Sequence, residues 1–336
     1  MKTIQVGIIG CGTIAKIRHL PECRDNEHVT IFGVCDVNEE RVQKFARTYR
    51  TKAFANYEDM LNDPALDAVI ISLPHHLHAP AAIYAARAGK HILVEKPIAT
   101  NLNDACAIVE TAKANGVKLM VAHNQRFVPS HKQAKKLIAE RAIGRIYSFQ
   151  ATFGHSGPEQ WSIDGNDCFY TQPKQEGFGV LGDLAIHKID LIQFLLQAKI
   201  VDVQSMIGSL SRTQTEIEDE AVLAVKMENG IIGSITASWN YIKPDFSTII
   251  YGENGVIRLE DDPDYPLIIQ YRDGTSIKYE LPDILEYERK MPGRSQVITS
   301  FINSILYDET PPVTGEEALD ALSIVVQSIE QQRVVI

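Results

Sequence analysis

The chain has 336 residues, with 33 Lys and Arg against 43 Asp and Glu, so two domains are expected. A formal charge of −10 lacks the basic footprint of a nucleic-acid binder, and an ordinary share of Gly and Pro excludes disordered or collagen-like chains. The five cysteines (Cys11, Cys23, Cys35, Cys106, Cys168) are odd in number and form no CxxC pair, which fits reduced thiols in a cytoplasmic protein.

The first third alternates strand and helix. An apolar strand over 4–9 ends at Gly10, which leaves no room for a signal peptide, and a helix over 13–23 follows. A strand over 29–35 ends at Asp36, and a helix over 38–49 is capped by Asn38. The uncharged stretch 68–86 contains Pro74, His75, His76, His78 and Pro80, so it reads as a strand (68–73) and a helix (77–88) rather than a membrane span. A strand over 91–95, a helix over 101–115 stopped by Gly116, and a strand over 118–122 complete a parallel, doubly wound sheet.

Beyond Asn124 the strands lengthen and follow one another. Residues 146–153 and 231–239 alternate apolar and polar, which predicts an antiparallel sheet with one polar face carrying Ser148, Gln150, Thr152, Ser234, Thr236 and Ser238. Further strands are expected over 201–210, 221–227, 247–251, 256–259, 267–271 and 276–281, interrupted by a helix over 183–196. Two helices close the chain, the last opening on a capping box at Thr314 and Glu317. The expected fold is α/β: a dinucleotide-binding Rossmann domain over 1–124, then an α+β domain over 125–336 with a large, mostly antiparallel open sheet for substrate binding and oligomerisation.

Residues 10–15 read GCGTIA between a strand and a helix. Gly10 permits the tight turn, Gly12 lets the backbone approach a pyrophosphate at the helix N-terminus beside Thr13 and Ile14, and Ala15 allows close helix packing. Asp36 stands where a ribose-binding carboxylate belongs. Val37 follows it, with no Ser or Arg to hold a 2′-phosphate, so NAD is expected over NADP.

These residues, with Pro74-His75-His76-Leu77-His78, Glu95-Lys96-Pro97, Asn124-Gln125-Arg126-Phe127 and Asp183-Leu184-Ala185-Ile186-His187-Lys188-Ile189-Asp190, resemble the Gfo/Idh/MocA oxidoreductases over nearly the whole chain. Many relatives carry Gly at the position of Ala185 and Asn at that of His75. The resemblance implies an active site between the Rossmann domain and the open sheet, a cis Lys96–Pro97 bond, and a homo-dimer or homo-tetramer.

Lys96 ends a parallel strand, the edge at which ligands sit. Asp183 and His187, four apart, share a helix face; alone they could be a solvated face or a cap, but beside Lys96 they read as catalytic. His187 would be the general base, suited by titration near neutrality, Lys96 would donate to the substrate oxygen, and Asp183 would bind a hydroxyl or orient substrate or Lys96. Pro74, His75, His78, Glu95 and Lys96 are candidate cofactor contacts. Lys96, Trp161, Asp183, His187 and Arg126 are candidate substrate contacts, though Arg126 could equally pair at the domain junction. Trp161, Tyr170 and Phe178 could wall the pocket or pack the loop. The histidine cluster has no Cys or carboxylate at ligand spacing, so no metal is expected. The reaction read from these groups is hydride transfer between a nicotinamide cofactor and a secondary hydroxyl of a sugar or polyol. A hydrolase using transient oxidation and a non-enzymatic dinucleotide-responsive regulator are the alternatives.

Overall fold

The computed structural model describes residues 3–165, 177–212, 217–282 and 295–333. Its amino-terminal half is a parallel sheet of six strands: β1 (Ile4–Ile9), β2 (Val29–Cys35), β3 (Lys52–Phe54), β4 (Ala68–Ile71), β5 (His91–Val94) and β6 (Leu119–Val121). They lie in the order β3-β2-β1-β4-β5-β6, with every pair parallel. Strand order reverses between β1 and β4, and that crevice is where doubly wound sheets take ligands. All four residues of β4 are buried, as an apolar run with helices on both faces requires.

The intervening helices are α1 (Leu20–Asp25), α2 (Glu39–Tyr49), α3 (Tyr57–Leu61), α4 (His78–Arg87) and α5 (Leu102–Ala114). A π-helical turn, Ala15–His19, leads into α1. Asn38 caps α2 by accepting from the Arg41 N–H, and Asn101 caps α5 in the same way from Asp104. Three elements went unread in the sequence: β3, α3, and α6 (Pro129–Ala139).

The second sheet has eight strands: β7 (Ile146–Gly154), β8 (Ile200–Gly208), β9 (Glu220–Met227), β10 (Ile232–Ser238), β11 (Thr248–Gly252), β12 (Gly255–Leu259), β13 (Leu267–Tyr271) and β14 (Ser276–Tyr279). Their order is β14-β13-β12-β11-β7-β10-β9-β8. All pairs are antiparallel except one, β7 with β10. The two strands whose alternation suggested antiparallel pairing are thus each other's parallel partners. A period of two reports one wet face and says nothing of strand direction.

α7 (Ile186–Leu196), preceded by a second π-helical turn, Leu181–Ala185, packs on the inner face of this sheet. α8 (Val297–Leu306) and α9 (Gly315–Arg333) end the described chain. The capping box of α9 forms as expected: the Thr314 N–H donates to Glu317 at 3.0 Å and the Glu317 N–H donates to the Thr314 hydroxyl at 3.2 Å. Both helices return to the first sheet. The Glu22 carboxylate of α1 accepts from the N–H groups of Ser295 and Ile298, and the Val121 N–H donates to the Val313 carbonyl.

The open face of the large sheet departs from expectation in two places. Ser238 is buried and donates to Glu220 at 2.6 Å. Met206, Val222 and Ile232 are exposed; Met206 and Val222 are cross-strand neighbours and form an apolar patch on β8 and β9, while Ile232 lies opposite Lys226. On the inner face Phe149 is fully buried, its ring lying in the space that the absent side chain of Gly233 leaves on the adjoining strand. Phe149→Ala should therefore cost about 3–5 kcal/mol in denaturant unfolding; a loss below about 1 kcal/mol would show that the two sheet layers close over the gap.

Candidate active site

The cofactor edge is built around Gly10. Its φ is +95°, and a Cβ there would fall 2.3 Å from the Ser72 carbonyl oxygen, so this turn tolerates glycine alone. A Cβ on Gly12 would meet nothing within 4 Å, which leaves its backbone open to a ligand. Asp36 closes the turn: its Oδ2 accepts from the Cys11 N–H at 2.8 Å and its Oδ1 from the Asn38 N–H at 2.8 Å. An open glycine cradle at a helix start, with a carboxylate beside it, fits the pyrophosphate and ribose of a dinucleotide. Val37 is 97% exposed. Arg41, on the first turn of α2, is tied to Asp164 of the second half at 2.5 Å, and the neighbouring Ile163 N–H donates to the Thr13 hydroxyl at 2.7 Å. Trp161 stands 40% exposed on the same loop, and Phe178 is buried. Tyr170 and Cys168 lie outside the described residues.

At the end of β5, the Glu95 carboxylate pairs with the His19 imidazole at 2.9 Å and accepts from the Lys96 N–H at 3.2 Å. Burial alone would raise the Glu95 carboxyl. The His19 hydrogen bond and charge, with those of Arg18 and Lys96, instead hold it down at about 2. Glu95 is therefore an anion bonded inside the protein. The Lys96–Pro97 peptide is cis, as the resemblance implied.

His78 corrects an expectation. Its ring is fully buried, with Nδ1 at 2.8 Å from the Pro97 carbonyl and Nε2 at 2.9 Å from the Leu73 carbonyl. Both nitrogens face backbone carbonyls of the protein, and the ring, which when neutral donates to one of them, is enclosed between the Lys96–Pro97 loop and the end of β4 rather than turned to a cofactor. His75 is buried against it, ring centroids 5.5 Å apart, and Pro74 opens the short helical turn that carries both.

Lys96 Nζ donates to Asp183 Oδ1 at 2.8 Å and to the Asp183 carbonyl at 2.9 Å. Asp183 Oδ2 accepts from the indole N–H of Trp239, a fully buried residue, at 3.0 Å. Both carboxylate oxygens are thus engaged, which favours the expectation that Asp183 orients Lys96. Glu218 sets the start of this helical segment by accepting from the N–H groups of Gly179 (2.7 Å) and Leu181 (3.2 Å). A Cβ on Gly179 would collide with the Glu218 carbonyl oxygen at 2.0 Å.

His187 lies one turn beyond Asp183, buried between the rings of Phe153 (5.5 Å) and His123 (6.4 Å). Burial first, then the charges of Lys96, His123 and Arg18, lower it well below the ordinary histidine value. The expectation of titration near neutrality is thereby revised: the ring is unprotonated through neutral pH.

Arg126 does not face the cleft. Its Nε and NH2 grip the Asp190 carboxylate at 2.7–3.1 Å, and NH1 reaches Glu317 at 2.9 Å and the Pro312 carbonyl at 3.2 Å. The guanidinium is engaged on every side, so of the two readings left open, pairing at the junction is the one found, and the expectation of a substrate contact is corrected. Sequence reasoning also missed Trp239, Glu218, His19 and His123. Only His123, directly before Asn124-Gln125-Arg126-Phe127, adjoined a motif already marked.

Comparison with known proteins bears on the family and the fold. The family profile described as "Oxidoreductase family, NAD-binding Rossmann fold" matches residues 4–123, and that of the "GFO/IDH/MocA C-terminal domain" matches residues 131–258. The chain is 30% identical to the levoglucosan dehydrogenase of Pseudarthrobacter phenanthrenivorans, over 71% of this chain and 68% of that one. It is 23% identical to the myo-inositol 2-dehydrogenase of Thermotoga maritima, over 98% and 97%. A solved structure of levoglucosan dehydrogenase with NADH and L-sorbose superposes with a TM-score of 0.85 at 26% identity, covering 98% of both chains. The chain belongs to the Gfo/Idh/MocA oxidoreductase family. No helix among the described residues is long and apolar enough to cross a membrane.

The buried histidines make stability acid-sensitive. Burial lowers His131 to about 3 and also lowers His78, His123 and His187. The unfolded chain takes up protons at these positions below the ordinary value of 6.5, and the folded chain resists them. Their contribution is complete above that value and is lost as pH falls; His131 alone should cost on the order of 2 kcal/mol at pH 5. Glu218, raised by burial to about 7, opposes this, one group against four. Thermal unfolding should give a lower Tm at pH 5.0 than at pH 7.5, with Glu218→Gln steepening the fall; a Tm that rises on acidification contradicts this assignment.

Proposed function

We propose that this protein catalyses reversible hydride transfer between NAD and a secondary hydroxyl of an unphosphorylated sugar or polyol. Residues 1–124 would hold the dinucleotide and 125–336 the substrate-side groups. The observation that carries this reading is the meeting of the Lys96 ammonium with Asp183, one turn before His187, at the ligand-binding edge of a parallel sheet. A binding module needs no such trio beside its nucleotide fold.

When bound, the nicotinamide ring supplies the hydride acceptor. The chain supplies placement and proton handling. His187, neutral because burial and nearby cations disfavour its protonated form, accepts the hydroxyl proton. Lys96, pinned by Asp183, donates to the same oxygen and stabilises the negative charge that grows there as hydride departs. Trp239 fixes Asp183 from behind, so the ammonium is aimed before substrate arrives. Asp36, Gly10, Gly12, Thr13 and Ile14 would grip the dinucleotide, with Glu95 supporting the strand end from below.

NAD is favoured over NADP on two grounds. Asp36 repels a 2′-phosphate, and Arg41, on the helix that follows, is already neutralised by Asp164. Titration should show tighter NAD binding; equal or tighter NADP binding sinks the assignment.

A homo-oligomer is proposed through the open sheet face. Met206, with 79% of its surface exposed, pairs with Val222 across β8 and β9 in an apolar patch of the kind a second copy covers. Light scattering should report a dimer or tetramer, and Met206→Asp with Val222→Asp should dissociate it. A monomeric wild type at working concentration counts against the interface.

A panel of inositols, hexoses and pentoses with NAD should give net NADH for at least one class. His187→Ala should lower turnover by about 10²–10⁴ and Lys96→Ala by about 10²–10³, with NADH fluorescence titrations little changed. Because the His187 pKa is lowered, the acid limb of the wild-type profile should lie below pH 6.5 and vanish in His187→Ala. Near-normal turnover in His187→Ala would remove it from the chemistry.

A further inference from the structure

His123 is fully buried, and neither of its ring nitrogens has a hydrogen-bond partner; Nδ1 of His187 is in the same condition. An unpaired buried polar group costs about 1–3 kcal/mol, so two adjoining imidazoles in this state call for a reason. Their placement provides one. The rings stand 6.4 Å apart at 90°, and on its other side His123 presents Nδ1 to Asp190 Oδ2 at 3.9 Å. Asp190 is itself immobilised by the Arg126 fork.

A neutral imidazole that accepts a proton at one nitrogen carries its hydrogen on the other, and that N–H needs an acceptor. The inward-facing nitrogen of His187 is Nδ1, and none of the described carboxylates bonds to it. We propose that His123 is the positioning residue for His187. It accepts the Nδ1–H of His187 through one bridging water, while its own N–H is turned toward Asp190. With ring nitrogens about 1.1 Å from their centroids, a 6.4 Å centroid spacing keeps the facing nitrogens about 4 Å or more apart, beyond a direct bond, so the link the proposal requires is a water. The result is a bare Nε2 on His187 facing the cleft.

The surrounding charges fit this division. His187 is faced by Lys96 from the end of β5, Arg18 from the first helical segment, His123 from the end of β6 and Lys188 from its own helix, all of which resist a second proton. His123 is faced by Arg126 and Lys96, which also resist protonation, and by Asp190 and Glu95, which favour it. Asp190 is the anion that can orient the pair, and it acts through His123.

The proposal rests on reading His187 as the base, but its test reads the tautomer directly and needs no substrate. Nitrogen-15 NMR of the full-length protein labelled at its ten histidines reports which ring nitrogen is protonated, and His187→Asn assigns the signal. Wild-type His187 should be in the Nδ1–H form. In His123→Phe it should shift toward Nε2–H, and in His123→Gln, which keeps an acceptor and a donor, it should return. Turnover in His123→Phe should fall at least about 10- to 100-fold, the loss seen when a group supporting a metal-bound imidazole is removed, with KM values within about twofold. An Nε2–H form in the wild type overturns the proposal, and so does a tautomer indifferent to His123→Phe. Should that variant not fold, the wild-type tautomer decides alone. A tautomer that responds as expected in a protein that oxidises no member of the panel would sustain the role of His123 and sink the proposed reaction.

Discussion

The 2.8 Å pair between Lys96 and Asp183 is the contact on which the site depends. One partner ends a strand of the parallel sheet and the other sits on the helical segment packed against the large sheet. Neither half of the fold contains a site alone. Taking two charges out of water costs several kcal/mol each unless their remaining lone pairs and protons are satisfied. Here Trp239 satisfies the second oxygen of Asp183, and the Asp183 carbonyl takes another proton of the ammonium. A pair arranged in this way is poor evidence of stability and good evidence of a requirement for geometry.

The same logic extends outward from that pair. Lys96 is held through its own backbone, whose N–H meets Glu95, whose carboxylate is fixed by His19 on a π-helical turn. Asp183 also lies in a π-helical turn, and such turns recur at functional sites because they re-aim one or two side chains without ending a helix. Pro97 is tied by its carbonyl to the buried ring of His78. Each side chain that touches the cleft thus has a partner that does not, and most of those partners are ionisable groups in dry surroundings. Burial sets the protonation state of several of them, which is why His78, His123 and His187 sit below the usual histidine range.

Legibility in the sequence follows the range of the interactions involved. Five of the six strands of the parallel sheet were readable because they are continuous apolar runs bounded by turns and caps, and Asn38, Asn101 and the Thr314–Glu317 box act within three residues of themselves. The strand β3 and the helix α3 are three and five residues long, too short for periodicity to register. That Lys96 would lie with Asp183 and His187 was a reading of the motifs taken together, since two share a helix spacing and the third stands at a strand end, and the contact found is the one between Lys96 and Asp183. Arg126 and His78 were misread because their partners lie far away in the chain: Asp190 is 64 residues from Arg126, Glu317 is 191, and Pro97 is 19 from His78. A charged or aromatic residue in a marked motif looks alike from the sequence whether it faces a ligand or a carboxylate of its own chain. Only the fold decides which.

That distinction also bears on how the two sheets are held together. Arg126 joins Asp190 on α7 to Glu317 on α9, while Glu22 receives the start of α8, so the carboxy-terminal helices tie the two sheets to each other. Lys96 and Asp183 are therefore held in one arrangement. The loop bearing Trp161, Ile163 and Asp164 is built differently: it crosses from the large sheet to Thr13 and Arg41 on the nucleotide side through one backbone bond and one exposed ion pair, and Trp161 on it is 40% exposed. Groups fixed by buried pairing tolerate little change, whereas a loop held by so few contacts can vary at its exposed positions, and that division is how one fold comes to carry many functions.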